Sequence, residues 1–229
     1  MLTYDQFKEL HARMVSKGKI RANGQDYPLQ PLDALGIEIF YSEFHSMFAN
    51  TNLGSVTASI FSHRIEACLG FIMHTCSKLK GEFRGTFASG SEIGWGWLRP
   101  ESIDETVWSQ TISASGWQDY WGSSSSPKTL NDESAIIILG LSNEAENPLV
   151  DEVKFTVVGK EASVLRLDEI KYGDNMNNVP VQPSPTIIVI EKQKFHMRSY
   201  NNASSGTDRL RMIGLVAGTG TYLGTEAPS

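Results

Sequence analysis

Residues 81–97, GEFRGTFASGSEIGWGW, divide the 229-residue chain into two parts with different periodicities. Before this joint, which is rich in glycine and serine, apolar residues recur at intervals of three and four, as on the buried face of a helix. After it, apolar residues alternate with polar ones or form short β-branched runs between turn residues, as in strands. The change predicts an α+β chain, with an N-terminal helical region over residues 1–84 and an antiparallel β-sandwich domain over residues 93–229.

Local signals predict the helices before the joint. A capping box that begins at Thr3 starts the first helix, and an apolar pattern that begins after Asp33 predicts the second. Residues 23–32, which carry two prolines after an Asn-Gly pair, are predicted as a linker between them. A third apolar pattern covers residues 56–79, and Gly70 within it predicts a kink or a division into two helices.

Turn clusters divide the second part of the chain into short strands that are typical of a sandwich or barrel. The predicted strands are Val107–Ala114, Trp117–Trp121, Ala135–Leu141, Glu152–Val158, Ser163–Leu167, Thr186–Ile190, Lys194–Tyr200, Arg209–Ala217 and a short Thr221–Leu223.

The composition is that of an ordinary globular protein, but its charge is unevenly placed. Residues 1–100 carry 10 Lys and Arg against 9 Asp and Glu, whereas residues 101–229 carry 10 against 17. Five cations lie near the N-terminus: Lys8, Arg13, Lys17, Lys19 and Arg21. A basic segment on an acidic body is typical of an arm that faces nucleic acid or anionic lipid. The alternative, which we favour, is a solvated face of a helix that clamps a neighbouring subunit.

No pattern in the chain predicts a catalytic, cofactor or metal site. Four possible zinc ligands lie on the third apolar pattern, but they point in different directions around a helix: His63, Cys68, His74 and Cys76. Gly218-Thr-Gly220 with Gly224 lacks the helix that a dinucleotide site needs. Carboxylates are plentiful, yet no pair among them is singled out, and the chain has neither a Gly-x-Ser-x-Gly elbow nor a Walker loop. We therefore predict that the protein is not an enzyme and holds no cofactor or metal.

The two cysteines predict reduced thiols and a cytoplasmic origin. On one helix, positions eight apart are separated by about 12 Å along the axis, which is beyond disulfide reach. The sequence shows no recognisable signal peptide, and charged residues interrupt its longest apolar stretch.

All five tryptophans lie within a short part of the chain: Trp95, Trp97, Trp108, Trp117 and Trp121. Three interpretations of this cluster stay open. The side chains could fill the sandwich core, stack on a carbohydrate from an exposed row, or lie in the centre of a subunit interface.

The last third of the chain has a Pro-containing segment, Val181–Pro185, before the strand Thr186–Ile190. The strand Lys194–Tyr200, a polar loop over 201–208 and a closing segment over 210–223 follow it. With this arrangement, residues 102–224 resemble the jelly-roll coat proteins of icosahedral viruses and phages. The helical region of about 85 residues departs from the family, because it is larger than a simple coat-protein arm.

This resemblance implies a virion structural protein that self-assembles as a homo-oligomer or shell and needs no cofactor. Its implied partners are further copies of itself and other virion proteins, and its implied locations are the host cytoplasm during synthesis and then the virion. The alternative function is a carbohydrate-binding β-sandwich module that uses the tryptophan-rich surface.

Overall fold

A computed structural model of the chain describes residues 2–49, 55–85, 92–100, 107–113, 115–167, 180–201 and 205–219. The helices within these ranges are α1 (Tyr4–Lys17), α2 (Ala34–Ala49), α3 (Ser55–His63) and α4 (Ile65–Leu79). The strands are β1 (Lys19–Ala22), β2 (Gln25–Pro28), β3 (Phe83–Gly85), β4 (Ile93–Trp97), β5 (Trp108–Ile112), β6 (Gly116–Trp121), β7 (Lys128–Thr129), β8 (Ser134–Asn143), β9 (Val150–Val157), β10 (Lys160–Arg166), β11 (Ile187–Val189), β12 (Lys194–Asn201) and β13 (Gly206–Thr219).

The α+β prediction is confirmed, and each predicted strand between residues 107 and 217 has a counterpart. The predicted strand Thr221–Leu223 and the glycines at 220 and 224 lie outside the described residues. The capping box of α1 is also confirmed, because the Gln6 amide donates to Thr3 Oγ1 at 3.3 Å and the Thr3 amide donates to Gln6 Oε1 at 2.9 Å.

The prediction of a linker over residues 23–32 was wrong for its first half. Strands β1 and β2 form an antiparallel hairpin, in which Ala22 pairs with Gln25 around a two-residue turn. Asn23 and Gly24 both have positive φ, 52° and 72°, as this tight turn requires. The hairpin escaped prediction because its strands are short and largely exposed, so they show no apolar alternation.

The third apolar pattern divides into α3 and α4, but the break lies at Arg64 and not at Gly70. Gly70 lies at a close contact of α4 with the ends of two flexible side chains instead. A Cβ atom at this position would lie 2.6 Å from Ile20 Cδ1 and 2.8 Å from Met14 Cε. The absence of a side chain therefore lets α4 approach both α1 and the hairpin.

The sandwich consists of two sheets with a nested strand order. One sheet has the order β11-β8-β13-β4-β3, with β5 also paired to β13, and the other has the order β10-β9-β12-β6, with β7 also paired to β12. Strand β4 pairs with β13, β6 with β12, β8 with β11, and β9 with β10, all antiparallel. Of these eight strands in chain order, the first pairs with the last, the second with the seventh, the third with the sixth and the fourth with the fifth. This nested pairing is the connectivity of a jelly roll.

The helices pack on the outer face of the six-stranded sheet, so the molecule has three layers. Phe40, Phe61 and Phe71 of the helices share one apolar cluster with Ile137 of β8 and Leu215 of β13. A second cluster fills the space between the two sheets. Every residue of β8 is buried, because this strand has the helical layer on one face and the second sheet on the other.

The division into a helical region, 1–84, and a sandwich domain, 93–229, stays a prediction. The first region holds strands as well as helices, namely the β1–β2 hairpin and β3, which pairs in parallel with β4.

A buried polar network fixes one end of the sandwich. The Tyr120 hydroxyl donates to the carbonyl oxygen of Trp108 at 2.7 Å and accepts from the Leu210 amide at 3.1 Å, which joins the two sheets. Asp208 is fully buried and accepts from the amide groups of Leu149 and Val150 at 2.8 and 3.1 Å. It also accepts from Asn143 Nδ2, which lies 3.0 Å from each carboxylate oxygen.

Two buried histidines hold the segment 28–32, which connects the hairpin to α2. His11 Nε2 of α1 accepts from the Leu32 amide at 3.2 Å, and His74 Nδ1 of α4 lies 3.2 Å from the Pro28 carbonyl oxygen. Burial lowers the pKa of both imidazoles. The His11 hydrogen bond requires the neutral ring, because a protonated His11 has no lone pair to accept the Leu32 amide. For His74, burial lowers the pKa although the hydrogen bond to the Pro28 carbonyl oxygen acts in the opposite direction.

Candidate functional site

The structure separates the five tryptophans into core and surface positions. Trp95 is 2% exposed and lies under the helical layer, with its ring centroid 5.6 Å from that of the half-buried Trp97. Trp108 and Trp121 are buried between the sheets, with centroids 5.2 Å apart. For Trp95, Trp108 and Trp121, the expectation of a ligand-stacking row is therefore corrected, because neighbouring layers of the same chain cover these rings.

Trp117 is the tryptophan that the fold presents to solvent, with 38% of its surface exposed. It lies on the edge strand β6, opposite Tyr200 of β12, and the two ring centroids are 5.5 Å apart. Arg198 fixes this pair, because its Nη2 donates to the Trp117 carbonyl oxygen at 3.1 Å while its Nε lies 3.3 Å from Asp119.

The aromatic pair belongs to a larger surface, which we call the open face. It consists of the side chains that point away from the core on the five-stranded sheet, in two rows across β6, β12, β9 and β10: Trp117, Tyr200, Glu152 and Arg166 in one, and Asp119, Arg198, Lys154 and Val164 in the other. Val164 is 43% exposed and Arg166 Nε lies 3.2 Å from Glu152 Oε1. The open face thus combines two exposed apolar positions with charges of both signs.

A second candidate site, which we call the basic cleft, lies between the end of α1, the hairpin and the junction of α3 with α4. It is a recess of about 650 Å³ whose lining includes Lys17, Lys19, Arg21 and Arg64. Two carboxylates oppose these cations: Glu66, which contacts Lys17, and Asp26, whose Oδ2 lies 2.7 Å from Lys19 Nζ. Hydrogen bonding to Lys19 lowers the pKa of Asp26.

The structure therefore brings together three of the five cations that the sequence singled out. Lys8 lies apart from the cleft, 3.1 Å from Asp5 and with its ammonium 4.9 Å from the centroid of the Tyr4 ring. Arg13 does not line the cleft, although its Nη2 lies 3.9 Å from Glu66. Each of these two cations thus has a carboxylate neighbour on the helical layer.

Arg64 is the member of the cleft that sequence reasoning missed. Its Nε donates to Gln182 Oε1 at 2.8 Å, and its two terminal nitrogens lie 3.5 Å from Thr186 Oγ1 and from the Pro183 carbonyl oxygen. These contacts hold the guanidinium at the helix junction against the segment that leads into β11. The sequence could have indicated this role only through the position of Arg64 between two helices, but the apolar pattern predicted the division at Gly70.

Within the described ranges, no group of three or more His, Cys, Asp or Glu side chains could hold a metal ion. The histidines and cysteines of α3 and α4 accordingly do not converge. Cys68 and Cys76 are buried free thiols, and burial raises the pKa of Cys76 to about 12. Of the helices that the structure describes, none is long and apolar enough to cross a membrane.

Comparison of the chain with protein-family models, with curated proteins and with solved structures found no match. The features of the molecule that bear on its function are the strand order, the open face and the basic cleft.

Proposed function

We propose that the chain is a virion structural protein that assembles with further copies of itself through the open face. The nested strand order of the sandwich carries this proposal, because jelly rolls with this connectivity serve as the building units of viral shells. In this role the protein needs no catalytic residue or cofactor. Its partners are other copies of the chain and other virion proteins. It is synthesised in the host cytoplasm and is then located in the virion.

The open face has the composition of an interface centre. Tryptophan, tyrosine and arginine are the residues most enriched where proteins bind each other, and Trp117, Tyr200 and Arg198 lie in contact there. The carboxylates of Asp119 and Glu152 lie among the cations on the same rows. A second copy of the chain offers the complementary charges when it packs against this surface in the opposite direction.

A carbohydrate-binding module is the second candidate, and one observation favours it. The rings of Trp117 and Tyr200 lie side by side on a rigid strand pair, and an exposed aromatic pair of this kind can stack on sugar rings. The lectins share the jelly-roll connectivity with coat proteins, so the strand order does not separate the two functions.

Assembly of the purified full chain tests the first candidate. We expect light scattering and electron microscopy to show rings or closed particles as concentration rises, and we expect Trp117→Ala to reduce their yield by about ten-fold or more, as for an interface hot spot. Leu35→Ala is the matched control, because Leu35 is 48% exposed on α2 and lies far from the open face in the layer order. A chain that stays monomeric at all concentrations and salt conditions would contradict the assembly role.

A glycan array with the same proteins tests the second candidate. Binding of defined oligosaccharides that is lost in Trp117→Ala, together with a monomeric state, would support the carbohydrate-binding module in place of the structural protein.

A further inference from the structure

The basic cleft contains more positive than negative charge, and its cations come from separate parts of the fold. Lys17 ends α1, Lys19 and Arg21 lie on β1, and Arg64 lies at the junction of α3 and α4. Against these four cations stand only Asp26 and Glu66, so the described lining has a net charge of +2 with His63 neutral. Like charges around one recess repel each other, and a bound anion reduces this repulsion.

Two of the four cations make no close ion pair with a carboxylate among the described residues. The contacts of Arg64 go to neutral oxygens, namely those of Gln182, Pro183 and Thr186, so its position is fixed while its charge is not cancelled. Arg21 is exposed and lies opposite Asp26 in the hairpin, but Asp26 makes its close ion pair with Lys19, so the charge of Arg21 is only partly balanced. A guanidinium that is already oriented loses little side-chain entropy when it binds an oxyanion, and its planar donors match phosphate geometry.

The shape of the cleft limits what it can hold. Its volume of about 650 Å³ lies in the range of small-molecule sites. Ile20 and Ala67 contribute apolar surface, while the cations and the Thr186 hydroxyl supply the polar groups. A single monovalent anion would leave most of the space and most of the charge unused, whereas two or three linked phosphate groups would contact cations from all three segments.

We infer that the basic cleft is a binding site for a small, multiply charged anion of the phosphate class, such as a diphosphate or triphosphate group. Lys17 and Lys19 turn from Glu66 and Asp26 toward the ligand, while Arg21 and Arg64 bind it directly. This inference does not depend on the assembly role, since the cleft and the open face belong to opposite layers of the molecule.

Isothermal titration of the full chain with inorganic tripolyphosphate tests the site. We expect one ligand per chain and weaker binding at about 200 mM than at about 50 mM NaCl, because salt screens the attraction. Arg21→Gln should weaken binding about five-fold, the effect of one ion pair. Lys8→Gln is the control, because it removes the same charge from the same layer but outside the cleft, and its affinity should stay within about two-fold of the unchanged protein.

A second variant reverses the sign of the effect. Glu66→Gln removes the carboxylate that competes for Lys17, so we expect it to tighten tripolyphosphate binding, again about five-fold. Absence of binding at millimolar tripolyphosphate would overturn the inference, as would equal weakening by Arg21→Gln and Lys8→Gln, which indicates net charge alone.

Discussion

Replacing Asp208 by asparagine should destabilise the protein although the two side chains have nearly the same shape. Asp208 Oδ2 accepts from the amides of Leu149 and Val150, and both oxygens face Asn143 Nδ2. The asparagine oxygen can keep the two backbone amides, but its NH₂ group then faces the NH₂ group of Asn143. Asn143 cannot simply rotate its amide, because its Oδ1 accepts from the Ala145 amide at 3.0 Å.

The expected loss follows from these contacts. A hydrogen bond to a charged group stabilises by about 1.5–3 kcal/mol against about 0.5–1.5 kcal/mol for a neutral one, and a buried donor without an acceptor costs about 1–3 kcal/mol. Relief from burying the charge of Asp208 offsets part of this loss. We therefore expect the free energy of unfolding to fall by about 2–3 kcal/mol in Asp208→Asn.

Urea unfolding followed by tryptophan fluorescence measures this change, provided that the slope of the transition is the same in both proteins. The exchanged pair Asp208→Asn with Asn143→Asp is the internal control. It restores one acceptor for each donor, so it should be more stable than the sum of the two single changes by about 1 kcal/mol or more.

Two results would refute this reasoning about the polar network. One is an Asp208→Asn protein whose free energy of unfolding lies within about 0.5 kcal/mol of the unchanged protein, the range of ordinary surface substitutions. The other is an exchanged pair that is no more stable than the sum of its single changes.

Two further changes test the packing and the buried histidines. Gly214→Ala should lower the free energy of unfolding by about 3 kcal/mol or more, because the new Cβ would lie 2.0 Å from the Ile137 carbonyl oxygen. Gly96→Ala is the control and should change it by less than about 1 kcal/mol, because the nearest atom to its new Cβ is 3.7 Å away. Thermal unfolding of the two variants measures the difference. The free energy of unfolding should also fall as the pH drops from about 6.5 toward 5, by up to about 1.4 kcal/mol per pH unit for each histidine. Burial lowers the pKa of His11 and His74 in the folded protein, so the unfolded chain takes up protons at a higher pH than the folded chain. Replacing both by glutamine should flatten this pH dependence, and an unchanged slope would contradict the role of the buried rings.

Local signals in the sequence were sufficient for most of the elements and insufficient for their layers. The capping box at Thr3 and the start of α2 were predictable because each depends on residues within one turn. The hairpin was not predicted, since its Asn23-Gly24 turn lies between strands without an apolar face. The position of the helix break was missed because Gly70 serves packing between helices, which periodicity along one helix does not reveal.

The candidate sites were only partly predictable for the same reason. The alternation of Trp95 and Trp97 indicates a strand but does not say which face is covered, and in this fold both faces of the six-stranded sheet are covered. Lys17 and Arg21 were singled out as neighbours in sequence, whereas Arg64 joins them only through the packing of α4 on the hairpin. The sequence feature that accompanies the burial of β8 on both faces is the apolar run over residues 135–141, because a strand with one solvent-facing side alternates.

The burial of β8 on both sides has a consequence for how the chain reaches its native state. The helices are synthesised first, but the surface that they cover is completed by β8 and β13, and the β13 partner of Ile93 is Thr219. Until β13 has been made, the apolar side of α4 lacks part of the sheet that covers it, and contacts between distant residues form slowly. A ribosome-bound chain therefore exposes part of the apolar surface of α4 until β13 has emerged. A chaperone, or a slow rate of translation at high expression, is then expected to raise the yield of folded protein.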